Sequence, residues 1–489
     1  MRKNDQLPEV FRSDNSTTLG ISRMLKSGDA RKLGPKLYTR NMVDDPVAIV
    51  RSNLWHVVAL MVPGSVVSYR TAFENRPAAD GSVFVTGEYP RQIPLPGLTI
   101  RQVAGHGQME GDMPYMGALF LASRPRAFLE NLTASRQRGL VSKAVGQEEV
   151  ETRLSKILRV GGKDALNKVR DEARQIAPML DLEEEFGVLE SRIGGLLASH
   201  STNLITPVAR AYAAGEPYDP ARLPLFDTLF AALRSTAFPI RQDRSTEPPA
   251  FHNVAFYDAY FSNYIEGTDF PVEQAMRIVF ENEIPSNRPA DAHDVLGTYR
   301  LVGSRDEMSK CPKDFDDFLR LVKRRHALIM EARPERLPGR FKTQNNQAGS
   351  TLFVAPELVT GTLRQGYQRY EALDESFARA LFMMFLVAAV HPFTDGNGRM
   401  ARVMMNAELI SHGQTRIFIP SVYRNEYLNS LKGLTNNRYA DAFIRVMSQA
   451  QLFVSRIDFA DLRAAQRVLE AHNAFCDPTD DVKLKLPEG

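Results

Sequence analysis

The chain has 489 residues, 43% of them hydrophobic and 24% charged, which is the composition of a soluble globular protein with room for two to four domains. A formal charge of +3 is too small to make nucleic acid or an anionic membrane the main partner. Only two cysteines, Cys311 and Cys476, are present and they lie far apart, which argues against a disulfide scaffold and for a reducing compartment.

From the N-terminus, the first fifteen or so residues are polar and expected to fray, with no apolar stretch of the kind a signal peptide carries. The apolar runs Trp55–Val62 and Leu381–Val390 fall short of the roughly 20 residues that span a bilayer, so a cytoplasmic protein with no membrane partner is expected. Leu19, Ile21, Met24 and Leu25, followed by the basic residues Arg31, Lys32, Lys36 and Arg40, fit a helix–turn–helix with a short wing. A small helical hairpin with a solvated basic face fits them equally. Pro46 to Met61 reads as one helix with Trp55 in the core. Strands are expected at Ser65–Tyr69, Ser82–Thr86 and Leu98–Val103, then a helix over Arg126–Leu132. Residues 1–145 are thus read as a small α+β module, open to a winged-helix form with a DNA-binding role.

Residues 146–250 carry Leu and Ile at helical spacing with many Glu and Arg, punctuated by Gly161-Gly162 and Gly194-Gly195. They read as connecting helices without chemistry, closed by the loop Arg241–Pro249. Residues 251–455 are richer. An aromatic helix runs from Phe251 to Ile265 and is stopped by Gly267; Ser262 and Glu266, four apart, share one side of it. Glu266 is there either a surface residue or the partner of a buried arginine. Phe315 to Met330 forms a helix on which His326 is structural. Leu337–Thr343 (Gly339, Arg340, Phe341, Lys342, Thr343) is expected to pair with Thr351, Leu352, Phe353 and Val354 as a β-hairpin across Gln344–Ser350. Residues 456–489 would form a C-terminal helix and a loose tail from Asp477.

The chemistry concentrates at His391-Pro392-Phe393-Thr394-Asp395-Gly396-Asn397-Gly398-Arg399, between one apolar helix and the start of another. Gly396 and Gly398 allow a tight turn with N–H groups pointing into one concavity, and a helix start favours an anion. Arg399 and Arg402, three apart, add forked donors on one side of that helix. Asp395 suits a hard cation such as Mg²⁺ bridging it to phosphate, and His391 is a base near neutral pH. Alone, Asp-Gly-Asn-Gly is an ordinary turn. Together with the histidine and two arginines it indicates attack by a hydroxyl on a phosphoryl centre.

These residues resemble the signature of Fic-domain proteins, His-x-Phe-x-(Asp/Glu)-Gly-Asn-Gly-Arg-x-x-Arg, at His391, Phe393, Asp395, Gly396, Asn397, Gly398, Arg399 and Arg402, without departure. The resemblance implies a mainly α fold, a Fic-type helical bundle with a β-hairpin flap over 251–455. It also implies protein adenylyltransferase activity, moving AMP from ATP to a Ser, Thr or Tyr hydroxyl of a target protein or of the chain itself. In that family His391 would be the base, Phe393 the loop anchor and Asp395 the Mg²⁺ ligand. Asn397 would contact the α-phosphate, Arg399 and Arg402 the β- and γ-phosphates, and Tyr427 the adenine and ribose. Autoinhibited members carry (Ser/Thr)-x-x-x-Glu-(Gly/Asn), matched by Ser262, Glu266 and Gly267, with Glu266 pairing Arg402. The 340–354 hairpin would be the flap that aligns the target by strand addition. Alternatives are the reverse reaction, another nucleotide donor, or a DNA-binding regulator with a nucleotide-sensing Fic domain. The first 130 residues also resemble, at Arg31–Arg40 and Val66–Arg70, the winged-helix region of abortive-infection antitoxins.

Overall fold

The computed structural model describes residues 7–14, 17–134, 141–349 and 351–488 and divides into two units, Met1–Gly215 and Glu216–Gly489. In the first, Val10–Arg12, Arg31–Gly34 and Leu37–Thr39 form an antiparallel sheet with Leu37–Thr39 in the middle. The Thr18–Ser27 helix packs Ile21 and Met24 on Phe11. This corrects the expected helix–turn–helix. Left-handed Gly28 ends the helix, and the basic stretch then alternates with period two, burying Leu33, Leu37 and Thr39 while Lys32 and Lys36 face solvent. The basic residues therefore sit on a β-hairpin and not on a helix that could enter a groove. Of the residues expected to fray, 1–6 and 15 lie outside the described residues, whereas Val10 and Phe11 are buried in a strand.

The helix expected over Pro46–Met61 breaks at Asn53 into Pro46–Ser52 and Leu54–Met61, and Trp55 is only half-buried, edge-on to Tyr115. A six-stranded sheet follows in the order Arg91–Leu95, Leu98–Ala104, Ser82–Gly87, Val66–Val67, Phe120–Leu121, Met113–Pro114. Ser82–Gly87 is buried at every residue and pairs in parallel with Leu98–Ala104, Val83 opposite Ile100; burial on both faces is why this strand shows no polar alternation. The helices expected as a connector fall in both units. Gln147–Leu180, bent where Gly162 takes φ +69°, Glu183–Leu196 and Pro207–Ala213 belong to the first; Leu223–Arg234 belongs to the second.

The second unit is helical. The Pro248–Ile265 helix is aromatic on several faces because several neighbours cover it: Phe256, Tyr257 and Phe261 are fully buried, and Phe261 stacks on Phe418 at 5.1 Å. The Ser376–Val390 helix is buried along nearly its whole length, so it holds the site at its end on a rigid stem. The tail expected to be loose returns to the core. Lys485 N–H donates to His472 O, Arg456 Nη1 to Pro487 O, and Leu484 packs beside the Leu462–Ala471 helix. No helix among the described residues is long and apolar enough to cross a membrane.

Candidate active site

The Ser376–Val390 helix stops where His391 takes a left-handed conformation, φ +55°, just before Pro392. Six residues later the Asn397–Ser411 helix begins. The intervening loop is fixed from inside. Phe393 is fully buried and lies flat on the His326 ring, centroids 3.6 Å apart. Asn397 Oδ1 accepts from Phe393 N and its Nδ2 donates to Phe393 O, both at 2.9 Å. The carboxamide of Asn397 is thus turned back onto the loop, which leaves its main-chain N–H to meet an anion. His326, read as structural, holds the loop: its Nδ1 accepts from Gly339 N, so its Nε2 donates to Asp395 O, each at 2.9 Å. Burial lowers its pKa to about 4, keeping it neutral in that role.

His391 Nδ1 lies 3.4 Å from Ala388 O, an arrangement that leaves Nε2 as the proton acceptor. Phe353 covers the ring face to face at 3.7 Å. Burial, followed by the charge of Lys342, lowers the His391 pKa to about 4. The base form therefore persists well below the ordinary value near 6.5.

The N–H groups of Asn397, Gly398 and Arg399 precede the first intrahelical bond, Met400 N to Gly396 O, so this helix start is an anion site. Glycine is required at 396, where φ is +73° and a Cβ would lie 2.7 Å from Met330 Sδ. At Gly398 a Cβ would meet Glu266 Oε1. A carboxylate thus rests on the site. Glu266 is the cap of the Pro248–Ile265 helix, with Gly267 turning the chain away at φ +92°. Its Oε1 accepts from Arg402 Nη2 at 2.6 Å, and the same guanidinium donates to Ser262 O at 2.8 Å and Ser262 Oγ at 3.0 Å. Buried Tyr427 faces this guanidinium too.

Arg399, equally buried, points elsewhere. Its Nη1 lies 3.0 Å from Asp294 Oδ2 and 3.4 Å from Asn263 Oδ1, and Asp294 also takes Arg333 Nε on both oxygens. Asp294, Arg333 and Asn263 escaped the sequence reading. The carboxylate of Asp294 and the guanidinium of Arg333 stand 105 and 66 residues from Arg399 in sequence, with no local spacing to link them.

Asp395 stands at the rim, 43% exposed, with Arg336 Nε 3.8 Å away and its own Oδ1 accepting from Gly396 N. One accessible carboxylate beside an anion site fits a hard divalent cation whose other ligands are phosphate and water oxygens. Another donor group, Cys311, Glu408 and His412, lies close together. There Glu408 is bound by Arg379 Nε at 2.5 Å and the Tyr370 hydroxyl at 2.7 Å, and burial pushes the Cys311 thiol up to about 12. That set does not suit a cation.

The flap is corrected in its register. The strands are Gln347–Ala348 and Thr351–Leu352, with Gln347 opposite Leu352 and Ala348 opposite Thr351; Ser350 lies outside the described residues. Residues 339–343 do not form the first arm, because their backbone donors bond the catalytic centre instead. Gly339, at φ +73°, donates to His326, and Lys342 N donates to Pro392 O at 2.9 Å. Phe341 packs on Phe393, Arg340 and Thr343 are exposed, and Lys342 is buried. Beyond the hairpin Val354 is fully buried, while Leu352 is 60% exposed on the strand.

Residues 315–409, from the His326 helix through both arginines, match the profile of the Fic/DOC family. A Fido domain-containing protein of Dictyostelium discoideum is 34% identical over 99 residues, 19% of this chain and 69% of that relative. The chain belongs to the Fic/DOC family. Its Fic domain is also similar to protein adenylyltransferase Fic of Drosophila yakuba, 41% identical over 203 residues, 40% of this chain and 39% of that protein. Protein adenylyltransferase fic-1 of Caenorhabditis elegans is 29% identical over 192 residues, 36% of each chain. The match thus spans less than half the length of these adenylyltransferases. Among solved structures, a Fic domain containing signaling protein from Bacteroides thetaiotaomicron is similar at 20% identity and TM-score 0.37, covering 50% of this chain and 97% of that chain.

Proposed function

We propose that this Fic protein transfers AMP from ATP to a hydroxyl of a protein, another or itself, releasing pyrophosphate, and that Glu266 restrains it. The observation that carries the reading is the Glu266 carboxylate, bound to Arg402 and seated over Gly398, in the place a phosphate of the nucleotide would take. The family relationship and the adenylyltransferase relatives support the chemistry.

In this reading a Ser, Thr or Tyr hydroxyl, brought in along the exposed flap strand, gives its proton to His391 Nε2 as its oxygen attacks the α-phosphorus. The bond to the bridging oxygen breaks and pyrophosphate leaves. The N–H groups of residues 397–399 stabilise charge on the phosphate oxygens. Arg402 takes the terminal phosphate once Glu266 releases it, and Tyr427 belongs with Arg402 at the phosphate end of the pocket, not at the adenine. Arg399 stays fixed by Asp294 and offers its remaining donors; its Nε is buried with no hydrogen-bond partner among the described residues. Mg²⁺, held by Asp395, would neutralise phosphate charge.

The test uses purified wild-type, Glu266→Gly and Glu266→Gly/His391→Ala proteins with labelled Mg-ATP and a cell lysate. AMP should appear on protein with the Glu266→Gly variant and vanish from the double variant. Equal labelling by wild type and Glu266→Gly would remove the restraint. No AMP adduct in any sample would remove the transfer.

A further inference from the structure

Lys342 is 3% exposed, and no carboxylate among the described residues lies within 4.0 Å of its Nζ. Its ammonium donates to Asn346 Oδ1 at 2.5 Å. Asn346 passes the connection on, its Nδ2 donating to Phe393 O at 2.9 Å and its main-chain O accepting from Phe353 N at 3.2 Å. A second buried cation, Arg222, donates to Leu352 O on the hairpin. The flap is thus tied to the catalytic loop by Lys342 N on Pro392 O, by Asn346 on Phe393 O, and by the Phe353 ring on His391. Space filling does not explain the ammonium, since a methionine would fill the same volume without the cost of removing a charge from water.

We propose that Lys342 is a positioning residue for the transfer reaction: through Asn346 it locks the flap to the loop that carries His391, and its buried ammonium acts on that base. The target-presenting strand and the base then move as one body. Five influences act on the His391 imidazole: burial and the Lys342 ammonium oppose its protonation, while the Ala388 carbonyl and the carboxylates of Glu266 and Asp395 favour it. Removing the ammonium leaves burial alone opposing protonation among these influences, so the imidazolium should gain. Lys342 is itself held below the ordinary lysine range, at about 8, by burial and by Arg222; it is still mostly charged at neutral pH. The activity arm of this inference rests on the transfer reading, whereas the spectroscopic arm does not.

The full chain is labelled with ¹³C at histidine, and the His391 signal is assigned by its loss in His391→Ala. Its titration is followed without nucleotide in wild type, Lys342→Met, Lys342→Arg and Asn346→Ala. Lys342→Met should move the His391 midpoint up from about 4 by on the order of one pH unit, toward the unperturbed 6.5. Lys342→Arg should keep the wild-type midpoint. Asn346→Ala should also keep it, while lowering kcat for AMP transfer about tenfold in a Glu266→Gly background with the KM for ATP little changed. In that background the acid limb of kcat should rise with the Lys342→Met midpoint. If Lys342→Met does not fold, Lys342→Gln replaces it. An unmoved midpoint in the charge-removing variant overturns the inference. A moved midpoint with no AMP transfer in any variant would leave the coupling of Lys342 to His391 standing and remove the transfer reading.

Discussion

Two arginines three residues apart on one helix, Arg399 and Arg402, are both buried against a carboxylate, yet their partners differ in kind. Asp294 sits within the Pro289–Val302 helix, 3% exposed at its side chain, and is gripped from the other side by Arg333. Glu266 caps the end of a helix, 34% exposed, next to a glycine, and Arg402 is its one ion-pair partner among the described residues. A carboxylate buried between two guanidiniums cannot leave without stripping Arg399 of its ion-pair partner, although Arg333 keeps Asp291. One at a helix end can swing out into water. In the proposed restraint, identical side chains on the same helix serve as a fixed wall and a removable latch, and the difference lies in what surrounds their partners.

The largest expected effect is on stability. Asp294→Ala should lower the unfolding free energy by about 3–5 kcal/mol, the cost of breaking a buried pair from one side. Glu266→Ala should cost about 1–2 kcal/mol, because Arg402 keeps its bonds to Ser262. Urea denaturation of the two variants checks this; equal losses would erase the distinction between wall and latch. Activity should run in the opposite sense. Glu266→Gly should raise AMP labelling about tenfold or more, which needs a shift of only about 1.4 kcal/mol, whereas Asp294→Asn should not raise it. Labelling that climbs in both variants would mean that Arg399 is latched as well.

Acid acts on the site through two buried histidines. His326 and His391 are both held at about 4 when folded, below the unfolded value near 6.5. Between those limits the unfolded chain binds more protons, so the stability these two groups contribute is complete above about pH 6.5 and is lost as pH falls toward 4. His326→Phe should flatten that slope by about half in denaturation curves collected across the range, and an unchanged slope would place the sensitivity elsewhere. The smallest effect is expected at Gly267, where φ is +92° with open space around it. Gly267→Ala should cost about 1 kcal/mol and raise basal labelling by a few-fold, through strain at the end of the helix that carries the latch. A variant as quiet and as stable as wild type would show that the turn does not steer Glu266.

The amino-acid sequence by itself determined the Fic loop, because its determinants are local: a histidine closing an apolar helix, two glycines, and arginines one helical turn apart. It also determined the Ser262–Glu266 face, since a spacing of four places both on one side of a helix, and the family resemblance supplied Arg402 as its partner. Tertiary structure decided what no local spacing encodes. Asp294 reaches Arg399 across 105 residues, and Lys342 and Phe353 close on the loop from about 50 and 40 residues away. Glycine at 339 and the period-two residues around it looked like a strand, yet the donors there went to His326 and Pro392, so the hairpin formed further on. The basic N-terminal stretch went wrong for a related reason: lysines every few residues fit a helix face or a strand edge equally. The tight turn at Lys36 and the pairing of Leu37–Thr39 with Val10–Arg12 made the choice. Short-range periodicity fixes which face a residue takes. The counter-charge it meets there depends on segments distant in sequence, which only folding brings together.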